Sequence, residues 1–307
     1  MSPMALRSTL VALIALSAAF CYAASNVIEQ RKAAGAPAET SLRIALLWHL
    51  AHEPIWWLGI LVDLGGFGFQ VLALRLGSLT FVQPMLVTSL LFSLLLGSRM
   101  DGVRAVRSDL AWAAVLTASL AVFLAVASPS GGFSERPFRA WITPLILVGG
   151  VIGCCLTIAR RSEGAVRAAF LAAAAGTSFG VSSTLMKSFA HLLTRGPVAL
   201  LTHWEPYALG FVIAMGFLIL QSAFQAGDLR AALPALEVAE PIVACVLGLL
   251  LMRERLHAGG PLPKALIAMC IAAMGWSTVQ LAHSATVLHA RAGSDADADA
   301  DTAASAR

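Results

Sequence analysis

Nine stretches of this chain are apolar for about the length that a helix needs to cross a lipid core, and no other feature limits its fold so tightly. They lie near residues 9–28, 56–74, 78–97, 109–127, 141–159, 166–187, 206–225, 231–251 and 265–283. A hydrocarbon layer of about 30 Å takes about 20 residues of helix. The runs are continuous rather than alternating, and too long for barrel strands. Composition agrees: 58% of the 307 residues are hydrophobic and 12% charged, with a mean hydropathy of +0.80. A soluble domain carries about a quarter charged residues to cover its surface. The expected fold class is therefore all-α, a polytopic membrane protein of about nine transmembrane helices.

The net charge of +4 and pI near 9.0 do not point to nucleic acid. The basic residues fall in short clusters between apolar runs, where membrane proteins keep loop charge. They divide almost evenly between the two sides, so the chain's orientation stays open. Cys21, Cys154, Cys155, Cys245 and Cys270 all lie inside apolar runs without C-x-x-C spacing, which fits neither a zinc site nor a disulfide framework. The first run, "MALRSTLVALIALSAAFCYAAS", also has the basic start and small residues of a secretory signal. The internal repeat described next favours a retained helix.

The two halves of the chain correspond. Gln70 follows Gly59 by eleven residues and Gln221 follows Gly210 by eleven; Pro84 follows Gly77 by seven and Pro234 follows Gly227 by seven. "AAFCYAAS" in the first run pairs loosely with "TSFGVSST" in the sixth. Four spans, one linking span and four more make the second copy enter the membrane from the opposite side. That is an inverted repeat, an architecture of secondary transporters. The expected organisation is a first repeat at 1–128, a linking span within 129–165, a second repeat at 166–285 and a low-complexity acidic tail at 286–307. The tail, "SDADADADTAASAR", is read as disordered. Within the first repeat, residues 29–55 read as an amphipathic interfacial segment, with Trp56 and Trp57 at headgroup level. His49 and His52 belong to that segment and lack a metal-binding frame.

Acids inside the spans are few and costly, each about 2.5–3.5 kcal/mol at a helix centre. Glu237 and Glu240 stand one turn apart in "LPALEVAEPIVACVLGLLL", flanked by Pro234 and Pro241, and Asp63 lies within the second span. Prolines there free backbone carbonyls, which a cavity or a neighbouring helix must satisfy. The functional reading is a water-accessible path that binds a cation or carries a proton; the bland one is helix cohesion. Gln70, Gln83 and Gln221 serve either helix–helix hydrogen bonds or substrate contact. Ser178, Ser182, Ser183 and Thr184 either wet that path or bond back to their own helix. Gly149 and Gly153, and Ala172, Gly176 and Gly180, read as packing surfaces. Glu254 reads as a helix-end residue.

The segment "LGLLLMRERLHAGGPLPKALIAMCIAAMGWSTV" resembles the end of the second repeat in drug/metabolite transporters of the EamA type. "WWLGILVDLGGFGFQVLALRLGSLTFVQPMLVTSLLFSLLLG" is similar to the NIPA-type branch, a group associated with magnesium transport. The first half has "LGSRMDG" where the second has "MRERL", and the tenth span usual in EamA-type proteins is not visible. The resemblance implies an inverted-repeat secondary transporter.

Two transport functions follow, with a membrane-embedded lipid-modifying enzyme and a non-transporting scaffold as the lesser alternatives. In one, a small solute or cation crosses the cytoplasmic membrane of a bacterium by alternating access coupled to protons, with Glu237, Glu240, Asp63, Gln70 and Gln221 along the path. In the other, the same acids pass magnesium, whose preference is for oxygen ligands and retained water; Glu237, Glu240 and Asp63 would then face the metal. No G-x-S-x-G, P-loop or H-E-x-x-H appears, so an enzyme or ATPase is not expected, nor a cofactor. The expected partners are the solute and the lipid bilayer, with a homodimer left open.

Overall fold

Almost every apolar run becomes one helix, because a backbone in lipid must satisfy its own hydrogen bonds. The computed structural model describes residues 3–76, 82, 85–100, 107–127, 129–130, 137–193, 195–251, 255–256 and 261–305. The first three helices are α1 (Pro3–Ala34), the short α2 (Ile44–Ala51) and α3 (Pro54–Leu76). Next come α4 (Ser89–Met100), α5 (Arg107–Ala127) and α6 (Phe138–Arg160). The second half holds α7 (Gly164–Leu193), the short α8 (Pro197–Thr202), α9 (Glu205–Ala226), α10 (Leu229–Leu250) and α11 (Pro261–Ser305). Eight of these are long and apolar enough to cross a membrane; α4 is a shorter apolar helix. The chain is thus an all-α, multi-pass membrane bundle. Its one strand pairing among the described residues joins Pro129–Ser130 to Arg255–Leu256, antiparallel.

Packing follows a common plan in the two halves. Helix α1 lies on α3 and α4, as α7 lies on α9 and α10; α5 and α11, the last helix of each set, pack on each other. Helix α1 also crosses to α9. The tightest contact is α7 on α10. A Cβ on Gly176 would stand 2.6 Å from the Leu236 carbonyl oxygen, and one on Gly180 would stand 2.7 Å from that of Glu240. The small-residue face of α7 therefore brings two backbones together, as in other membrane helix pairs. Around it close Leu171, Phe224 and Leu233, all fully buried. The opposite surfaces stay apolar and open, with Leu61, Phe67, Phe211, Met269 and Trp276 all more than half exposed. Such a girdle is what acyl chains cover.

Several expectations change. Helix α1 does not stop at residue 28. "NVIEQRKAA" contains no glycine or proline to end it, so it runs to Ala34, and the interfacial segment expected at 29–55 begins inside the bundle. The rest of that segment is a 3₁₀ turn at Ala38–Thr40 and α2, whose Leu46 and Leu50 dock inward while Ile44 and Trp48 face out. Trp56 is buried beside Phe217; Trp57 is exposed. His49 and His52 are exposed, and His52 Nδ1 bonds the Trp48 carbonyl oxygen at 2.7 Å. Lys32 donates to Glu53 at 2.7 Å, clasping the end of α1 to the start of α3. The lysine holds the Glu53 carboxyl below its usual pKa.

In the third run, expected over 78–97, Val82, Met85 and Leu86 are helical, a turn follows in which Thr88 Oγ1 donates to the Met85 carbonyl at 2.6 Å, and α4 begins at Ser89. The final helix continues through Ser305 where disorder was expected; alanine, the best helix former, recurs along the acidic tail. Among the described residues, Gly149 and Gly153 meet no neighbour within 4 Å of an added Cβ, because α6 turns its other side, through Trp141 and Ala159, to the bundle. Gly77, Gln83, Pro84 and Glu254 lie outside the described residues, so one of the two glycine–proline correspondences does too.

Candidate functional site

Four of the five expected path residues line one cavity of about 410 Å³. Helix α3 supplies Asp63 and Gln70, and α10 supplies Glu237, Glu240 and Pro241. Tyr22 and Asn26 come from α1, Ser89 from α4, Leu120 from α5 and Phe179 from α7. Both halves of the chain therefore contribute walls. Tyr22, Asp63 and Glu240 each fall near the middle of their spans, Thr9–Ala34, Pro54–Ala73 and Leu229–Leu250, which puts the cavity at mid-depth. Its size is at the small end of ligand pockets, about 300–1,000 Å³.

The acids reach the cavity for local reasons. On α10, residues 237 and 240 share a face because they are one turn apart. Pro241 cannot donate to the carbonyl of Glu237, four residues back, so that oxygen is left for the cavity as well. Glu237, Glu240 and Asp63 are half-buried, open toward the cavity rather than enclosed. Ser183 Oγ on α7 donates to Glu240 Oε1 at 3.2 Å. Tyr22 donates its hydroxyl to Gln70 Oε1, and a Cβ on Gly66 would meet the Tyr22 ring at 3.1 Å. The glycine of "GGFG" thus seats the tyrosine. The other members of the α7 polar stripe bond back to their own helix. Ser178 does so to Ala174, Ser182 to Phe179 and Thr184 to Gly180.

Gln221 is elsewhere. Its Nε2 donates to Glu29 Oε2 across the α1–α9 contact, and Ser25 Oγ donates to Glu29 Oε1 at 2.8 Å. Glu29 is only 5% exposed, yet the sequence reading passed over it by ending the first span one residue earlier. A signal was present: Tyr22, Ser25, Asn26 and Glu29 recur at three- and four-residue spacing, a polar stripe on one helix face. A second buried polar group was missed as well. Asp109 on α5 pairs with Arg230 on α10 at 3.3 Å and accepts from Ser284 Oγ on α11 at 2.6 Å. Asp109 and Arg230 lie near the starts of α5 and α10, where sequence reading assigns charge to loops.

A second cavity, also about 410 Å³, opens further along the same seam, beside the end of α1 and the start of α10. Gln30, Ser98 and Arg230 are among its walls. By position on α4 and α10, Leu90 and Leu233 stand between the two cavities, each 1% exposed.

Among the described residues, no three His, Cys, Asp or Glu side chains come together as a metal-binding group. Asp63, Glu237 and Glu240 share a cavity without forming a ready ligand cluster. None of the five cysteines is in a disulfide.

No family model and no solved structure matches the chain. An uncharacterized protein of Corynebacterium glutamicum is 34% identical over 287 residues, covering 92% of this chain and 98% of its own.

Proposed function

The chain belongs to one family with the Corynebacterium glutamicum protein, matched nearly end to end, and from that premise we propose that the whole bundle works as a secondary transporter. The solute is a small molecule or cation, carried across the cytoplasmic membrane by alternating access with proton coupling. The observation that carries this reading is the mid-depth cavity between the two halves, with Asp63, Glu237 and Glu240 on its walls. Buried acids at a repeat interface are the usual place for substrate and coupling ions. The common packing plan of α1–α5 and α7–α11 supports two halves that rock about that site. Leu90 and Leu233 act as the closed gate toward the second cavity.

The carboxylates, the Gln70 amide and the Glu237 carbonyl are all oxygen donors, which suits a hydrated divalent cation better than a bare one. This keeps the NIPA-like magnesium reading within the same mechanism, with water completing the shell. The resemblance to drug/metabolite transporters supports the same class. We read the chain as a carrier and not an enzyme. Proteoliposomes test this directly. A pH gradient drives uptake of a cation or metabolite panel in the wild type, and Glu240→Gln abolishes it. Flux unchanged in Glu240→Gln and Asp63→Asn together would remove the acids from the mechanism.

A further inference from the structure

We infer that Glu29 is a second proton-binding site, set in the contact between the two halves and separate from the acids of the cavity. Its carboxyl is almost fully buried, and no cation pairs with it among the described residues. The neighbouring lysine on its helix, Lys32, is engaged with Glu53. From α3 the facing group is Asp63, one turn beyond Gly59, whose position leaves room for the Glu29 side chain at 3.1 Å. From α9 the facing group is Gln221, which does not titrate. From α1 itself come Ser25 and, a turn beyond it, Tyr22.

The partners around Glu29 suit both charge states. In the structure Gln221 donates through Nε2 to Glu29 Oε2. Gln221 Oε1 is buried and accepts from nothing among the described residues. The two ends of an amide are exchanged by a half-turn, and only the hydrogen-bond network tells them apart. With Glu29 ionised, the amide NH₂ donates to Oε2. With Glu29 protonated, a turned amide offers its oxygen to the new O–H. The proton arrives from hydronium in the cavity, whose walls include Asn26 and Asp63; an O–H bond forms on Oε2 and a water is left behind. Glu29 and Gln221 sit on α1 and α9, so the proton changes one of the bonds that join one half to the other.

This inference stands whether or not the cavity carries a solute, and its test needs no transport. Difference infrared spectroscopy of the purified protein in nanodiscs, stepped through pH, reads the C=O stretch of protonated carboxyls. One component should vanish in Glu29→Gln and persist in Asp63→Asn and Glu240→Gln. Ser25→Ala keeps the carboxyl but removes one hydrogen bond, so it should shift that component to higher frequency; this covers the case in which Glu29→Gln does not fold. Spectra of wild type and Glu29→Gln that superimpose at every pH would overturn the assignment. So would a component that Ser25→Ala leaves unmoved.

Discussion

At the scale of single residues, the costs of burial separate working groups from fillers. Ser183 is the one hydroxyl of the α7 stripe that reaches the cavity acids, while its neighbours return to their own helix. Ser183→Ala should therefore weaken proteoliposome flux several-fold, and Ser182→Ala should leave it within experimental scatter. Gly180 is the sharper case. A side chain there meets the Glu240 carbonyl and Val243 at 2.7 Å, and backbone cannot yield as a flexible side-chain tip can. Gly180→Val should cost about 1–3 kcal/mol by overpacking, read as a lower thermal midpoint, and should displace Glu240 so that flux is lost too. Gly149→Val, on the open face of α6, should leave that midpoint unchanged. Sequence alone gave both glycine pairs the same meaning, since small-residue spacing is identical whether a partner helix is present or not.

Among elements, the ties between helix ends decide which parts move together. Asp109, Arg230 and Ser284 join α5, α10 and α11 in one buried polar group. Removing one partner of a buried ion pair leaves an uncompensated charge, at about 3–5 kcal/mol. Asp109→Ala should show a loss of that order in a denaturation titration, and the double change Asp109→Asn with Arg230→Met should recover most of it. The Lys32–Glu53 clasp is of another kind. It is partly exposed and screened, and the depressed Glu53 pKa means that its contribution is present at neutral pH and lost as pH falls below the usual carboxylate range, about 4.3. Element existence was legible because hydrophobic length is a strong signal: eight of nine runs became spanning helices. Ends were less so. Charges at 29–32 read as the start of an interfacial segment, yet the helix continued because nothing in "VIEQRKAA" breaks it and Gln221 on a distant helix donates to Glu29.

For the molecule as a whole, the account rests on one feature, a water-accessible cavity at mid-depth between two halves. Asp63, Gln70, Glu237 and Glu240 were readable one by one as residues too polar for lipid, and they do share that cavity. Their meeting with Tyr22 and Asn26 was not readable, because convergence is a property of helix packing and not of any one run. The repeat likewise paired Gln70 with Gln221, but both turn to α1, from opposite halves. If Leu90 and Leu233 close the seam, Leu233→Ala should let aqueous reagents pass from the second cavity into the first.

Cysteine accessibility tests the central claim most directly. In a background lacking Cys21, Cys154, Cys155, Cys245 and Cys270, Ser89→Cys and Leu236→Cys place a thiol on the cavity wall and keep all three acids. A membrane-impermeant maleimide applied to either side of sealed vesicles should label both positions, and a thiol at Phe211 on the lipid-facing surface should stay unlabelled. Cavity thiols as inert as the Phe211 control, from both sides and at every pH, would contradict the account.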